Sequence, residues 1–187
     1  MDLENKTILF LGSSVTFGSA SNGVSFADLM QEQCKIKMIK EVVSGTTLAD
    51  LGEDSYVSRL KKINKNEKID LFICQLSTND AVKNLPLQQT ESAIRWIIEY
   101  VSAVFKCPIA FYTNTYFENE NYTKLVELII SLQKEYDIHI LDFWNDREML
   151  SVSKSDYEKY MADVIHPTLI GYKEWWTPKF IAFCRSI

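Results

Sequence analysis

Apolar and polar positions alternate along this chain in two different periods. Short, nearly continuous apolar runs, the first being Thr7-Ile8-Leu9-Phe10-Leu11 before Gly12, are separated by longer stretches whose apolar residues recur every three or four positions. A strand buried on both faces must be apolar at successive positions. A helix needs apolar residues on one stripe only. The runs predict strands over residues 7–11, 37–43, 69–76, 108–113 and 138–141. The longer stretches predict helices over 26–34, 54–62 and 88–105. In the last of these, Ile94, Ile97, Ile98, Val101 and Phe105 share one face. Leu125, Leu128, Ile129 and Leu132 make a second stripe, with Asn121 as the expected N-cap. Pro178 is expected to kink or restart a C-terminal helix, because proline cannot continue an interior hydrogen-bond ladder.

Strand and helix alternate from one end of the chain to the other. That order predicts an α/β fold, a three-layer α/β/α sandwich around a parallel sheet. Ligands of such folds bind beyond the carboxyl ends of the strands, so the segments just after each strand are the place to look for chemistry.

Composition narrows the possibilities. The 187 residues suit one domain over 1–187, and 12% aromatic content speaks against disorder. The net charge is −5, and the densest lysines (61, 62, 65 and 68) are interrupted by Glu67 and Asp70. That spacing reads as a solvated helix end, so no nucleic-acid partner is expected. Four cysteines, at 34, 74, 107 and 184, form no metal-ligand spacing and no C-x-x-C. They point to a reducing compartment. No apolar run approaches the ~20 residues of a membrane span, so stable membrane insertion is not expected. The opening Met-Asp-Leu-Glu-Asn-Lys has no basic region leading into an apolar segment. The expected location is the cytoplasm.

Four polar segments carry the candidate chemistry. Gly12-Ser13-Ser14 follows the first strand, where a serine can present its hydroxyl at the sheet mouth. Asp163-Val164-Ile165-His166-Pro167 holds one of only two histidines. Proline holds the preceding residue extended, and Asp163 can fold back onto one imidazole nitrogen and fix its tautomer. His139, the other histidine, reads as a structural residue of the fifth strand. Ser77-Thr78-Asn79-Asp80 follows the third strand. The Asn79 amide can donate to an oxyanion, and Asp80 is expected to cap or brace the loop. Ser44-Gly45-Thr46-Thr47 follows the second strand, where the Gly45 N–H is a further donor. Taken singly, each segment also has the ordinary composition of a turn or cap. Asn114, Tyr116 and Phe117, after the fourth strand, are candidates to line a substrate pocket. Asp142, after the fifth, is a second candidate acid.

Together, and in this order, the four segments resemble the blocks of the SGNH hydrolases, also called GDSL-like lipases or esterases. Ser14 matches the serine, Gly45 the glycine, Asn79 the asparagine and His166 the histidine. The resemblance implies a flavodoxin-like sheet of five parallel strands in order 2-1-3-4-5. It implies Ser14 as nucleophile, His166 as base and Asp163 as the acid of a D-x-x-H motif. It further implies an oxyanion hole of the Ser14 and Gly45 amides with the Asn79 side chain. Two positions depart from the family pattern. Ser13 stands where an aspartate is usual, and Ser77 where a glycine is usual. The implied activity is hydrolysis of small acyl esters, acetyl or another short chain, possible carriers including carbohydrates, without metal or organic cofactor. A lysophospholipase or thioesterase of the same family, and a non-catalytic binding module, stay open beside it.

Overall fold

The computed structural model describes residues 1–187. Its strands are β1 (Thr7–Gly12), β2 (Lys37–Val42), β3 (Leu71–Gln75), β4 (Ile109–Tyr112) and β5 (His139–Leu141). All pair in parallel, in the order β2-β1-β3-β4-β5. The doubly wound sheet implied by the family blocks is therefore the sheet observed. Register is set by pairs such as Ile8 with Leu71 and Phe72 with Ile109.

Helices fill both faces: α1 (Ser14–Phe17), α2 (Phe26–Cys34), α3 (Tyr56–Lys62), α4 (Thr78–Val82), α5 (Leu87–Val104) and α6 (Glu120–Leu132). The last third adds α7 (Arg147–Leu150), α8 (Lys154–Tyr160), α9 (Leu169–Gly171), a π-helical turn at Tyr172–Trp176 and α10 (Thr177–Ser186). Side chains of a strand point alternately to opposite faces, and the two cores divide accordingly. Leu9, Leu11, Phe72 and Phe111 pack under α3, α5 and α6. Ile8, Phe10, Ile73 and Tyr112 pack under α2 and the C-terminal helices. The 94/97/98/101 stripe of α5 is fully buried, as its spacing requires.

Two local expectations are refined. The N-cap of α6 is Asn119, not Asn121, and its side chain accepts from the Tyr122 N–H at 2.9 Å. Starting the helix there turns the Tyr122 ring into the core, where its hydroxyl receives the Asn114 N–H and donates to the Leu76 carbonyl. Asn121 instead donates to the Asn84 side chain on the surface. Pro178 stands in the first turn of α10, directly after the π-helical turn. The wider i→i−5 turn, closed by Thr177 N–H on the Tyr172 carbonyl, ends one ladder, and the proline begins the next where its missing donor does no harm.

The C-terminal layer is held by aromatic rings. Phe26 of α2 stacks on Phe180, with further rings of Phe10, Tyr112 and Trp176 within 6.3 Å. Phe26 has no exposure to solvent. Phe26→Ala is therefore expected to cost about 3–5 kcal/mol. Urea unfolding checks this; a loss below about 1 kcal/mol would show that the ring cluster does not anchor the C-terminal layer.

Candidate active site

Ser14 begins α1 immediately beyond β1 and is nearly buried. The turn that presents it is tight. A Cβ at Gly12 would run into the Thr16 hydroxyl, so only glycine fits beneath the following helical turn. Ser13, at no exposure, lies under this turn, and its N–H donates to Gln75 Oε1 at 2.9 Å. The same oxygen accepts from Thr16 Oγ1 at 2.8 Å, and Thr16 in turn meets the Tyr112 hydroxyl at 2.7 Å. The brace that a carboxylate at position 13 would supply is built here from the neutral Gln75 at the end of β3.

His166 reaches this turn from the far end of the chain. Its Nε2 lies 2.8 Å from Ser14 Oγ, and its Nδ1 lies 2.9 Å from Asp163 Oδ2. Asp163 Oδ1 also accepts the backbone N–H groups of Ile165 and His166, both at 2.7 Å. The carboxylate thus orients the ring and shapes the loop that carries it. An antiparallel bridge between Met161 and Pro167 closes the base of that loop. Burial alone pushes the Asp163 carboxyl up. The imidazole bond and the two backbone N–H bonds overturn that effect and hold it below its ordinary range.

The second and third segments meet the first. Gly45 adopts a positive φ of 79° in the loop after β2, a conformation that favours glycine. Its carbonyl accepts from Lys83 at 2.7 Å. Asn79, in α4, directs its Nδ2 to the Thr46 carbonyl at 2.8 Å and to Ser13 Oγ at 3.3 Å. The four segments therefore converge at the carboxyl ends of β1, β2 and β3. Asp80 braces the loop, as its position after β3 suggests. Its buried carboxylate accepts from the Leu48 and Ala49 N–H groups and the Thr90 hydroxyl, each at 2.8 Å.

The remaining candidates divide. Tyr116 is half-exposed beyond β4, packs at a tilt against Trp144, and lines a cavity of about 300 Å³ with Leu150, Val152 and Tyr157. Asn114 is buried. Phe117 does not line a pocket: it packs into the core against Tyr122 and Trp144. Asp142 bonds to Thr113 and Asn145, shaping the turn after β5, while the His166 ring bonds Asp163. His139 sits within β5.

Two contributors escape a reading of the sequence. Gln75 looks like the polar end of an apolar strand, and that was its only signal. Arg59 lies beside a lysine-rich helix end but falls three residues after Tyr56 and one before Leu60, on the buried stripe of α3. That spacing marks it as inward-facing.

A family model described as GDSL-like Lipase/Acylhydrolase matches residues 10–174, most of the chain and all four segments. The chain belongs to this family. Compared with curated proteins by sequence, it matches none. Among solved structures it is similar to a lipolytic protein of the G-D-S-L family from Desulfitobacterium hafniense, at 21% identity and a TM-score of 0.78, covering 96% of this chain and 99% of that one. It is also similar to an acetylxylan esterase from Geobacillus stearothermophilus, at 16% identity and a TM-score of 0.75, covering 97% and 95%. A family two carbohydrate esterase from Clostridium thermocellum aligns at 13% identity and a TM-score of 0.71, covering 97% of this chain and 64% of that one. At these identities the likeness is one of fold.

The depressed Asp163 value has a defined sign. Its stabilising bonds are complete above the unfolded-chain value of about 3.9 and are lost only as the pH falls through the lower folded value. A carboxyl-detected NMR titration is expected to place Asp163 below the ordinary aspartate range. In Ser14→Ala the shift persists, because its causes lie within the loop; a midpoint at or above the ordinary value would contradict the bonding described.

Proposed function

We propose that this chain is a serine esterase acting on small acyl esters, acetyl or another short chain, with acylated carbohydrates as the leading substrate class. One observation carries the reading: a hydroxyl 2.8 Å from one imidazole nitrogen, and a carboxylate 2.9 Å from the other. Binding alone requires no such relay. The acetylxylan esterase and the carbohydrate esterase that share the fold support the substrate class. Four unpaired cysteines support a cytoplasmic setting, and no helix is long and apolar enough to cross a membrane.

The reaction follows from the geometry. Ser14 Oγ attacks the ester carbonyl carbon as His166 Nε2 takes its proton. Asp163 holds the ring in the tautomer with hydrogen on Nδ1 and stabilises the imidazolium. The carbonyl oxygen becomes an oxyanion facing the N–H groups of Ser14 and Gly45. Asn79 is the third donor. Its bond to Ser13 Oγ is long, at 3.3 Å, and releasing it frees one N–H for the oxyanion while the other keeps the Thr46 carbonyl. Collapse expels the alcohol, which takes the proton from His166. Water, deprotonated by the same imidazole, then attacks the acyl-serine and releases the acid. This chain's own residues supply every proton transfer and every bond to the oxyanion.

Ser14→Ala is expected to lower kcat on p-nitrophenyl acetate on the order of 10⁶-fold with an unchanged far-UV spectrum. It should also abolish labelling by a fluorophosphonate probe. Asn79→Ala is expected to cost about 10²–10³ in kcat. An ester panel from acetyl to long-chain acyl groups tests the substrate class. Retained activity in Ser14→Ala would remove the assignment, and preference for long chains would move the substrate to lipids.

A further inference from the structure

The guanidinium of Arg59 is buried, at 4% exposure, without an acidic partner. All its hydrogen bonds end on neutral oxygens. Nε donates to the Asp54 carbonyl at 3.0 Å, and Nη1 to the Glu41 carbonyl. Nη2 donates to the Gly12 carbonyl at 2.9 Å and to Thr46 Oγ1 at 3.2 Å. The Tyr56 ring lies 5.1 Å from its central carbon. A buried cation without a carboxylate is an expensive way to fill a core position, where an apolar side chain would serve folding better.

The destinations of its bonds give the cation a purpose. Gly12 ends β1, two residues before Ser14. Glu41 lies near the end of β2, paired with Leu11. Thr46 directly follows Gly45. One planar, rigid group therefore touches both segments that deliver the backbone N–H donors of the oxyanion hole. Asn79 holds Thr46 from the other side, through its carbonyl. Thr46 is pinned at two atoms, and Gly45 with it. Lysine has no comparable fork, since its ammonium is a single point charge on a flexible stem.

We propose that Arg59 is a positioning residue for catalysis, fixing the ends of β1 and β2 so that the Ser14 and Gly45 N–H groups converge on one oxyanion. This role rests on the esterase reading above. It acts on the transition state, where a displacement of about 1 Å is worth about 10²-fold in rate. Binding of the ground-state ester depends on it little.

The test uses Arg59→Lys, Arg59→Ala and Thr46→Val in the full chain, each with a thermal melt, kcat and KM on p-nitrophenyl acetate, and fluorophosphonate labelling of wild type. Arg59→Lys is expected to lower kcat by about 10–100-fold with KM within about twofold. Arg59→Ala is expected to lose more, and to regain part of kcat when millimolar guanidinium, which leaves wild type unaffected, is added. Thr46→Val, which removes one arm together with the hydroxyl's own bond to the Val43 carbonyl, should remain folded and lose several-fold in kcat without response to guanidinium. Folded Arg59 variants with wild-type kcat would overturn the role. So would losses that follow only the fraction unfolded and show no rescue. Where neither Arg59 variant folds, unchanged kcat in Thr46→Val overturns it. An unlabelled, inactive wild type removes the esterase reading and this role with it; a labelled, active wild type with indifferent variants removes the role alone.

Discussion

The contact between His166 and Ser14 joins residues 152 positions apart, and its formation requires the C-terminal helices to be seated on the sheet. The seating is apolar. Phe26, Phe143, Trp176 and Phe180 interlock over Phe10 and Tyr112, and Tyr172 adds a hydroxyl that donates to the Val15 carbonyl at 2.6 Å. That last bond ends on the residue after Ser14. The helix layer that brings the imidazole therefore also touches the turn that brings the hydroxyl, and packing on one face of the sheet fixes the distance between them.

The buried polar groups do different work. A sheet buried on both sides must complete its hydrogen bonding internally, and here the polar groups that do so lie under the site. Asp80 holds the segment following the Gly45 loop by two N–H groups. Gln75 collects the N–H of Ser13 and the hydroxyl of Thr16. Arg59 gathers carbonyls from the ends of two strands. None of these groups needs to meet an ester. Their shared effect is to leave the mouth of the sheet little freedom to rearrange, which in the proposed esterase would keep the oxyanion donors fixed.

Much of this was legible in the residue order. Apolar runs marked most of the strands, although β2 (Lys37–Val42) carries three charged residues, and block order gave the convergence at their ends, because a parallel sheet places every such end on one side. Asp163 and His166 were readable as a pair because only two residues separate them. The parts that escaped have physical reasons. The cap of α6 slid from Asn121 to Asn119 because the burial of Tyr122, a tertiary effect, chose between two similar residues. Phe117 looked like a pocket residue because its position after β4 said nothing about which way its ring turns. Gln75 and Arg59 were invisible as site residues because their partners are backbone atoms and hydroxyls brought together by the fold, and no local pattern of side chains records them.

The Asp163 turn has a further consequence. Its hydrogen bonds span no more than three residues, so the bonds of the acid–imidazole pair are all local. The serine turn, by contrast, exists only inside the finished sheet. The contact between His166 and Ser14 therefore joins a locally bonded loop to a turn whose bonds are long-range. Lifting the C-terminal segment would leave the bonds within the Asp163 loop in place but would take from the serine turn both the imidazole and the Tyr172 hydroxyl on the Val15 carbonyl.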